Sequence, residues 1–150
     1  MKPILHLLPH LLLLGLLVSC DDDDNVHTRV PSLVLNGFHR EFPQALEVGW
    51  LQRDSLYQVD YELAGDDNSA LLNAEGQIIG TKREISIREI PSQVLSGLEK
   101  NFSSLDLDEP EQLDINGETF YQLEVEKILF DKKIVLDTTG KINTNLPYWE

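Results

Sequence analysis

Sulfur is nearly missing from this chain of 150 residues, which holds one cysteine, Cys20, and one methionine, Met1. A single thiol excludes an internal disulfide, so the stability of any folded part must come from packing. Basic residues are also scarce: 12 Lys and Arg stand against 26 Asp and Glu, a formal charge of −14. That balance argues against nucleic acid as a partner, because phosphates demand clustered Lys and Arg. It argues equally against lying flat on an anionic bilayer. Of the four histidines, His6 and His10 lie in the apolar start, which leaves His27 in the tether region and His39, expected early in the first helix. Ser-x-x-Lys, Gly-x-Ser-x-Gly and His-Glu-x-x-His are all absent. No catalytic set can be assembled, and the expectation is a protein that is not an enzyme and uses no cofactor. His39 alone is too thin for a metal site, and Asp66-Asp67-Asn68 reads as a hairpin loop, so no metal is expected either.

Long apolar runs are confined to the start. Lys2 is followed by Ile4, Leu5, Leu7, Leu8, Leu11 to Leu14 and Leu16 to Val18. A basic start and a short apolar core make a secretory leader, and Pro9 with the two histidines interrupts what a spanning helix would need. The run closes in Leu17-Val18-Ser19-Cys20, which resembles the lipobox of bacterial lipoproteins. The resemblance implies cleavage before Cys20 and a diacylglycerol on its thiol, with fatty acids such as palmitate as the membrane anchor. Two or more acyl chains anchor stably where one does not. Asp21 to Asp24 follow. They read as a solvated tether, and such runs also resemble the surface-export signals of Gram-negative lipoproteins; a calcium loop would need alternating ligands and a turn glycine. The expected address is the outer membrane facing the cell surface, with the periplasmic face as the other possibility.

The rest is organised by internal similarity. Val30-Pro31-Ser32-Leu33-Val34-Leu35-Asn36-Gly37-Phe38 recurs as Ile90-Pro91-Ser92-Gln93-Val94-Leu95-Ser96-Gly97-Leu98, with Phe42 and Phe102 at the same offset. Tyr57 to Glu62 answers Tyr121 to Glu126, and Leu71 to Ile78 answers Val135 to Ile142. Three matches in one order point to duplication. Each unit opens with a helix, Pro31 and Pro91 suiting its first turn. Val34, Leu35, Phe38 and Phe42 share one helical face, as do Val94, Leu95, Leu98 and Phe102. A glycine inside each helix, Gly37 and Gly97, costs about 1 kcal/mol against Ala and suggests a close approach of helix to sheet at that turn.

Strands follow the helices. Tyr57, Val59, Tyr61 and Leu63 alternate with Gln58, Asp60 and Glu62, and Tyr121, Leu123 and Val125 alternate with Gln122, Glu124 and Glu126. Asn116-Gly117 is a hairpin turn, and Glu75-Gly76 and Thr139-Gly140 mark later ones. The predicted class is α+β: two tandem repeats, each one helix plus an antiparallel sheet of three to four strands. The predicted boundaries are a leader at 1–19, a lipidated acidic tether at 20–29, repeats at 30–88 and 89–145, and a tail at 146–150. About 120 residues after the tether are ordinary for one domain.

Glu47-Val48-Gly49-Trp50, then Tyr57-Gln58-Val59-Asp60-Tyr61, then Asn73-Ala74-Glu75-Gly76 resemble the PepSY-like family of exported bacterial proteins. The resemblance spans most of residues 30–145 and implies a fold similar to the β-lactamase inhibitor protein, with no catalytic residues. The second unit departs from the pattern, with Asp114 at the position aligned to Trp50 and Thr138-Thr139-Gly140 in place of the Ala-Glu-Gly turn. In the inhibitor fold the sheet face does the docking. Asp60, Glu62, Glu124 and Glu126 are therefore the candidate partner-binding residues, on a face that is otherwise simply solvated. The functional expectation is a lipoprotein whose exported domain binds, and could inhibit, another exported protein. The alternative is a structural or accessory lipoprotein of an envelope complex with no dedicated ligand. Trp50, Tyr57 and Tyr61 are expected in the core. Tyr148 and Trp149 are either an exposed contact or a cover over the sheet edge.

Overall fold

Seven strands, two α-helices and one 3-10 turn make up residues 29–100, 102, 106–126 and 131–150, the part described by a computed structural model. The leader, Cys20 and Asp21 to Asp24 lie outside these residues. The order is α1 (Ser32–Glu41), β1 (Leu46–Arg53), β2 (Leu56–Leu63), β3 (Asp66–Leu72) and β4 (Ile78–Glu84). After the 3-10 turn at Ile87–Glu89 come α2 (Ser92–Glu99), β5 (Leu107–Ile115), β6 (Glu118–Val125) and β7 (Lys132–Asp137). All seven strands form one antiparallel sheet in chain order, so each strand pairs with its neighbours in sequence. The fold is α+β with a single sheet, β4 pairing with β5 across the second helix.

Turn chemistry sets the hairpins. Ala64 and Gly65 between β2 and β3 have φ of 58° and 94°, and Asn116 and Gly117 between β5 and β6 have 52° and 84°. Two consecutive positive φ values match the right-handed twist of the strands they join. The first of these turns displaces the expected loop: Asp66, Asp67 and Asn68 are already in β3, paired with Leu63, Glu62 and Tyr61.

Both helices lie on the same side of the sheet. α1 buries Val34, Gly37 and Phe38, and α2 buries Val94, Gly97 and Leu98. Val34 and Phe38 pack with Val59, Tyr61, Ala70 and Leu72, and the rings of Trp50 and Tyr61 meet Phe38 edge-on at 5.4 and 5.1 Å. Val94 and Leu98 pack with Tyr121, Leu123, Val125, Ile134 and Leu136. Of the aromatics expected in the core, Tyr61 is buried, while Trp50 and Tyr57 are half-buried against it. Burial pushes the Tyr61 hydroxyl up to about 12.

Several helical expectations are corrected in detail. Leu35 and Leu95 are only half-buried, because the faces centre on Val34 and Val94. Phe42 and Phe102 lie past the last helical residues; their N–H groups donate to Phe38 O at 2.8 Å and Leu98 O at 3.1 Å. Pro31 and Pro91 are N-caps rather than first-turn residues, and His39 is in the last turn of α1. The internal glycines do mark close approaches, made to turns rather than to the sheet. A Cβ on Gly37 would overlap the Gly76 carbonyl, and one on Gly97 would come within 2.6 Å of Gly140. Gly76 and Gly140 have φ of 75° and 80°, so each contact needs glycine on both sides.

Candidate functional site

The other face of the sheet carries the candidate residues. Register places Gln58, Asp60 and Glu62 of β2 there, beside Leu71, Ser69 and Asp67 of β3. Lys82 pairs with Ser69 on one side and Leu113 on the other, and Glu84 pairs with Glu111. Gln122 lies between Glu111 and Val135, and Glu124 between Asp108 and Lys133.

This face is not open. Residues 146–150 turn back across it, and Trp149 packs with Leu113 and Val135, against Leu71, Ile115 and Phe120. Gln58 and Gln122, expected in solvent, are 4% and 0% exposed. Trp149 N–H donates to Gln122 Oε1 at 3.0 Å, and Gln122 Nε2 returns a bond to Trp149 O at 2.8 Å. The Trp149 indole N–H donates to Gln58 Oε1 at 3.1 Å. Lys82 Nζ donates to Trp149 O at 3.1 Å and pairs with Glu111 at 3.0 Å. Lys133 holds Glu150 at 2.8 Å and Glu124 at 3.3 Å, and these carboxylates, Glu150 first, keep its ammonium charged to higher pH than usual. Arg53 reaches from β1 to Glu150 O at 3.3 Å. Tyr148 and Trp149 thus cover the face, not the edge. Burial, reinforced by Glu111 and Glu124, raises the Tyr148 hydroxyl well above its ordinary value.

The tail separates the four candidates into two pairs. β2 and β6 stand four strand spacings apart, about 19 Å, with the tail between them. Asp60 accepts from Gln58 Nε2 at 2.9 Å and Ser69 Oγ at 2.7 Å. Glu124 is tied to Lys133. Glu126 stands just beyond β6, where Asp106 first, then burial, Asp108 and Asp131, raise its carboxyl above 4.5. No single row joins all four.

A different row forms instead. Glu62 pairs across with Asp67, and Glu84 with Glu111. With Glu47, Asp60 and Glu150 they line a shallow cleft of about 380 Å³ beside the tail, in which Lys82 is the one basic residue. The sequence does not single out Asp67, Glu84 and Glu111. The signal present is the alternation of Gly80, Lys82 and Glu84, and it is weak because that strand carries few large apolar residues. Among the described residues no group of three or more His, Cys, Asp or Glu has the arrangement of a metal site, and no helix is long and apolar enough to cross a membrane.

No protein-family model matches the chain, and no curated protein matches it. Solved structures do. A BLIP-like protein from Bacteroides fragilis superposes with a TM-score of 0.67 at 20% identity, over 81% of this chain and 89% of that one. A protein from Bacteroides eggerthii, provisionally described as periplasmic, gives 0.69 at 16% over 75% and 85%. A DUF2874 family protein from Bacteroides ovatus gives 0.66 at 17% over 75% and 83%. At these identities the likeness is one of fold: this chain has a BLIP-like fold.

Proposed function

We propose that this protein is a non-enzymatic envelope lipoprotein whose folded domain docks a basic surface of another exported protein, and that such docking can inhibit it. The observation that carries the reading is the carboxylate row across four adjacent strands, Glu62 with Asp67 and Glu84 with Glu111, bordered by a single lysine that is already paired. Like charges at this density, exposed at Asp67 and Glu84 and half-buried at Glu62 and Glu111, repel each other, and a basic partner relieves that repulsion on contact. The likeness to a BLIP-like protein and to one provisionally described as periplasmic supports an exported binding domain. The domain is two tandem PepSY-like repeats; the matching Gly37–Gly76 and Gly97–Gly140 contacts support this. Cys20 carries the lipid, and Asp21 to Asp24 direct the domain outward. Nucleic acid, cofactor and metal have no part in the reading.

The test is crosslinking on whole cells with wild type and a Glu62→Lys, Asp67→Lys, Glu84→Lys variant of matched stability. Loss of one defined crosslinked protein is the expected result. Unchanged crosslinks would favour an accessory lipoprotein without a dedicated ligand. Cys20→Ala should in addition abolish fatty-acid labelling.

A further inference from the structure

Gln58 and Gln122 occupy the middle of a face where their cross-strand neighbours Leu71 and Val135 are apolar. Buried amides cost free energy unless their polar atoms are paired. If residues 146–150 were only an apolar cover, leucine or valine would serve better at both positions. The two amides instead bind different parts of the tail, while the Nε2 of each also donates to a carboxylate of the sheet, Gln58 to Asp60 and Gln122 to Glu111. Gln122 makes two opposed hydrogen bonds to the N–H and C=O of one residue, Trp149, a pairing that reads extended backbone and ignores the side chain. Gln58 reads the side chain, because a wide ring that presents an N–H donor is tryptophan. Lys82 completes the site, its ammonium 6.0 Å from the centre of the indole ring and hydrogen-bonded to the Trp149 carbonyl.

The site can also be vacated. The two cores under the helices lie on the opposite side of the sheet, and lifting the tail exposes only the smaller apolar cluster around Leu113 and Val135, with amides and charges that water can satisfy. In addition, the tail is an imperfect occupant: Glu150 lines the carboxylate cleft of Asp60, Glu62, Asp67, Glu84 and Glu111 but brings it no cation, its own carboxylate being drawn to Lys133 at 2.8 Å.

We propose that this face is a binding site for an extended, tryptophan-bearing segment of a partner protein, with Lys or Arg following the tryptophan, and that residues 146–150 occupy it as an intramolecular competitor. This names the docking element of the function proposed above and rests on that reading for the existence of a partner. A partner segment displaces the tail when its basic residue gains more from the carboxylate cleft than Glu150 gains from Lys133. The tail in turn lowers the apparent affinity of every segment, so that one bearing this residue is favoured.

The probes are two labelled peptides, Leu-Pro-Tyr-Trp-Glu and Leu-Pro-Tyr-Trp-Lys, titrated against the whole mature protein and its Trp149→Ala variant. Weakening the tail should tighten binding by about ten-fold or more, because the open state becomes the populated one. The Lys peptide should bind more tightly than the Glu peptide, with the difference shrinking as salt rises. Adding Gln122→Ala to Trp149→Ala should remove the binding. If Trp149→Ala fails to fold, a protease site placed between Asn143 and Leu146 gives a second route: after cleavage of the folded protein, the labelled Lys peptide should exchange into the gap. Absence of peptide binding in both forms overturns the proposal, as does unfolding when the cut tail leaves. Concentration-dependent dimers that exchange tails would also overturn it, by making a second copy the occupant. The peptide experiment contains no cell material, so its failure leaves the crosslinking result standing, and unchanged crosslinks leave the peptide result standing.

Discussion

At the scale of single residues, glycine pairs and one aspartate hold the helices in place. Gly37→Ala drives a methyl group into the Gly76 carbonyl, and neither backbone can yield without moving a helix or a turn. The expected loss is about 3 kcal/mol, the upper part of the usual range for overpacking, read as a lower urea midpoint. Gly49→Ala is the control, since nothing lies within 4 Å of its added Cβ. Near-equal midpoints for the two variants would show that the Gly37 contact relaxes freely. Asp137 fixes the turn that brings Gly140 to α2, accepting from Thr139 Oγ1 at 2.6 Å, Thr139 N at 2.8 Å and Lys141 N at 3.1 Å. These bonds, that of the Thr139 hydroxyl foremost, lower its carboxyl below 3.8. A depressed carboxyl contributes stability that is present above its unfolded value and lost as pH falls through the folded one. Asp137→Asn should therefore be less stable than wild type at neutral pH, with the gap closing below pH 3.8. Melting curves at several pH values would show it, and a gap that stays constant into acid would rule out the ionised turn.

At the scale of elements, α1 depends on Phe38. That ring is fully buried and meets Trp50, Tyr61 and Phe42 within 5.5 Å. Phe38→Ala should cost about 3–5 kcal/mol, whereas half-buried Leu35→Ala should cost less than about 2 kcal/mol. Denaturant midpoints that ranked them the other way would mean the helix sits on a different face. Elements with strong alternation are legible in the sequence: Tyr57 to Leu63 and Tyr121 to Val125 are strands, with the aromatic and aliphatic side chains toward the helices. Asp66-Asp67-Asn68 reads as a loop because its turn-forming residues outweigh, in sequence, a pairing with Glu62 and Tyr61 that only register reveals. The acidic face is legible by sign but not by membership. Asp60 and Glu124 are locally similar in sequence, yet strand order sets them four positions apart and brings Glu84 beside Glu111 instead. The fate of Gln58 and Gln122 is invisible in the sequence because their partner, Trp149, lies 91 and 27 residues away and shows no periodicity of its own.

At the scale of the whole molecule, charge works against compactness. With 26 acidic residues against 12 basic ones, general repulsion outweighs the ion pairs, which among the described residues are mostly exposed. Raising sodium chloride from about 10 mM to about 1 M shortens the screening length from about 30 to about 3 Å. The melting temperature should rise by a few degrees, the size of effect that about 1 kcal/mol produces in a domain of this size. A fall would show that Lys82–Glu111 and the Lys133 pairs dominate instead. The meander has a kinetic consequence of its own. Every strand pairs with its predecessor, so a chain released from its N-terminal side always finds the growing edge it needs. Little loop-closure entropy has to be met at any one step, which favours fast assembly. The contact of the Trp149 indole with Gln58 is the exception, since it closes over 91 residues. Releasing that contact leaves both helix-covered cores closed, so the tail is the first element that thermal opening would free, and its amides should lose hydrogen-exchange protection before those of any central strand.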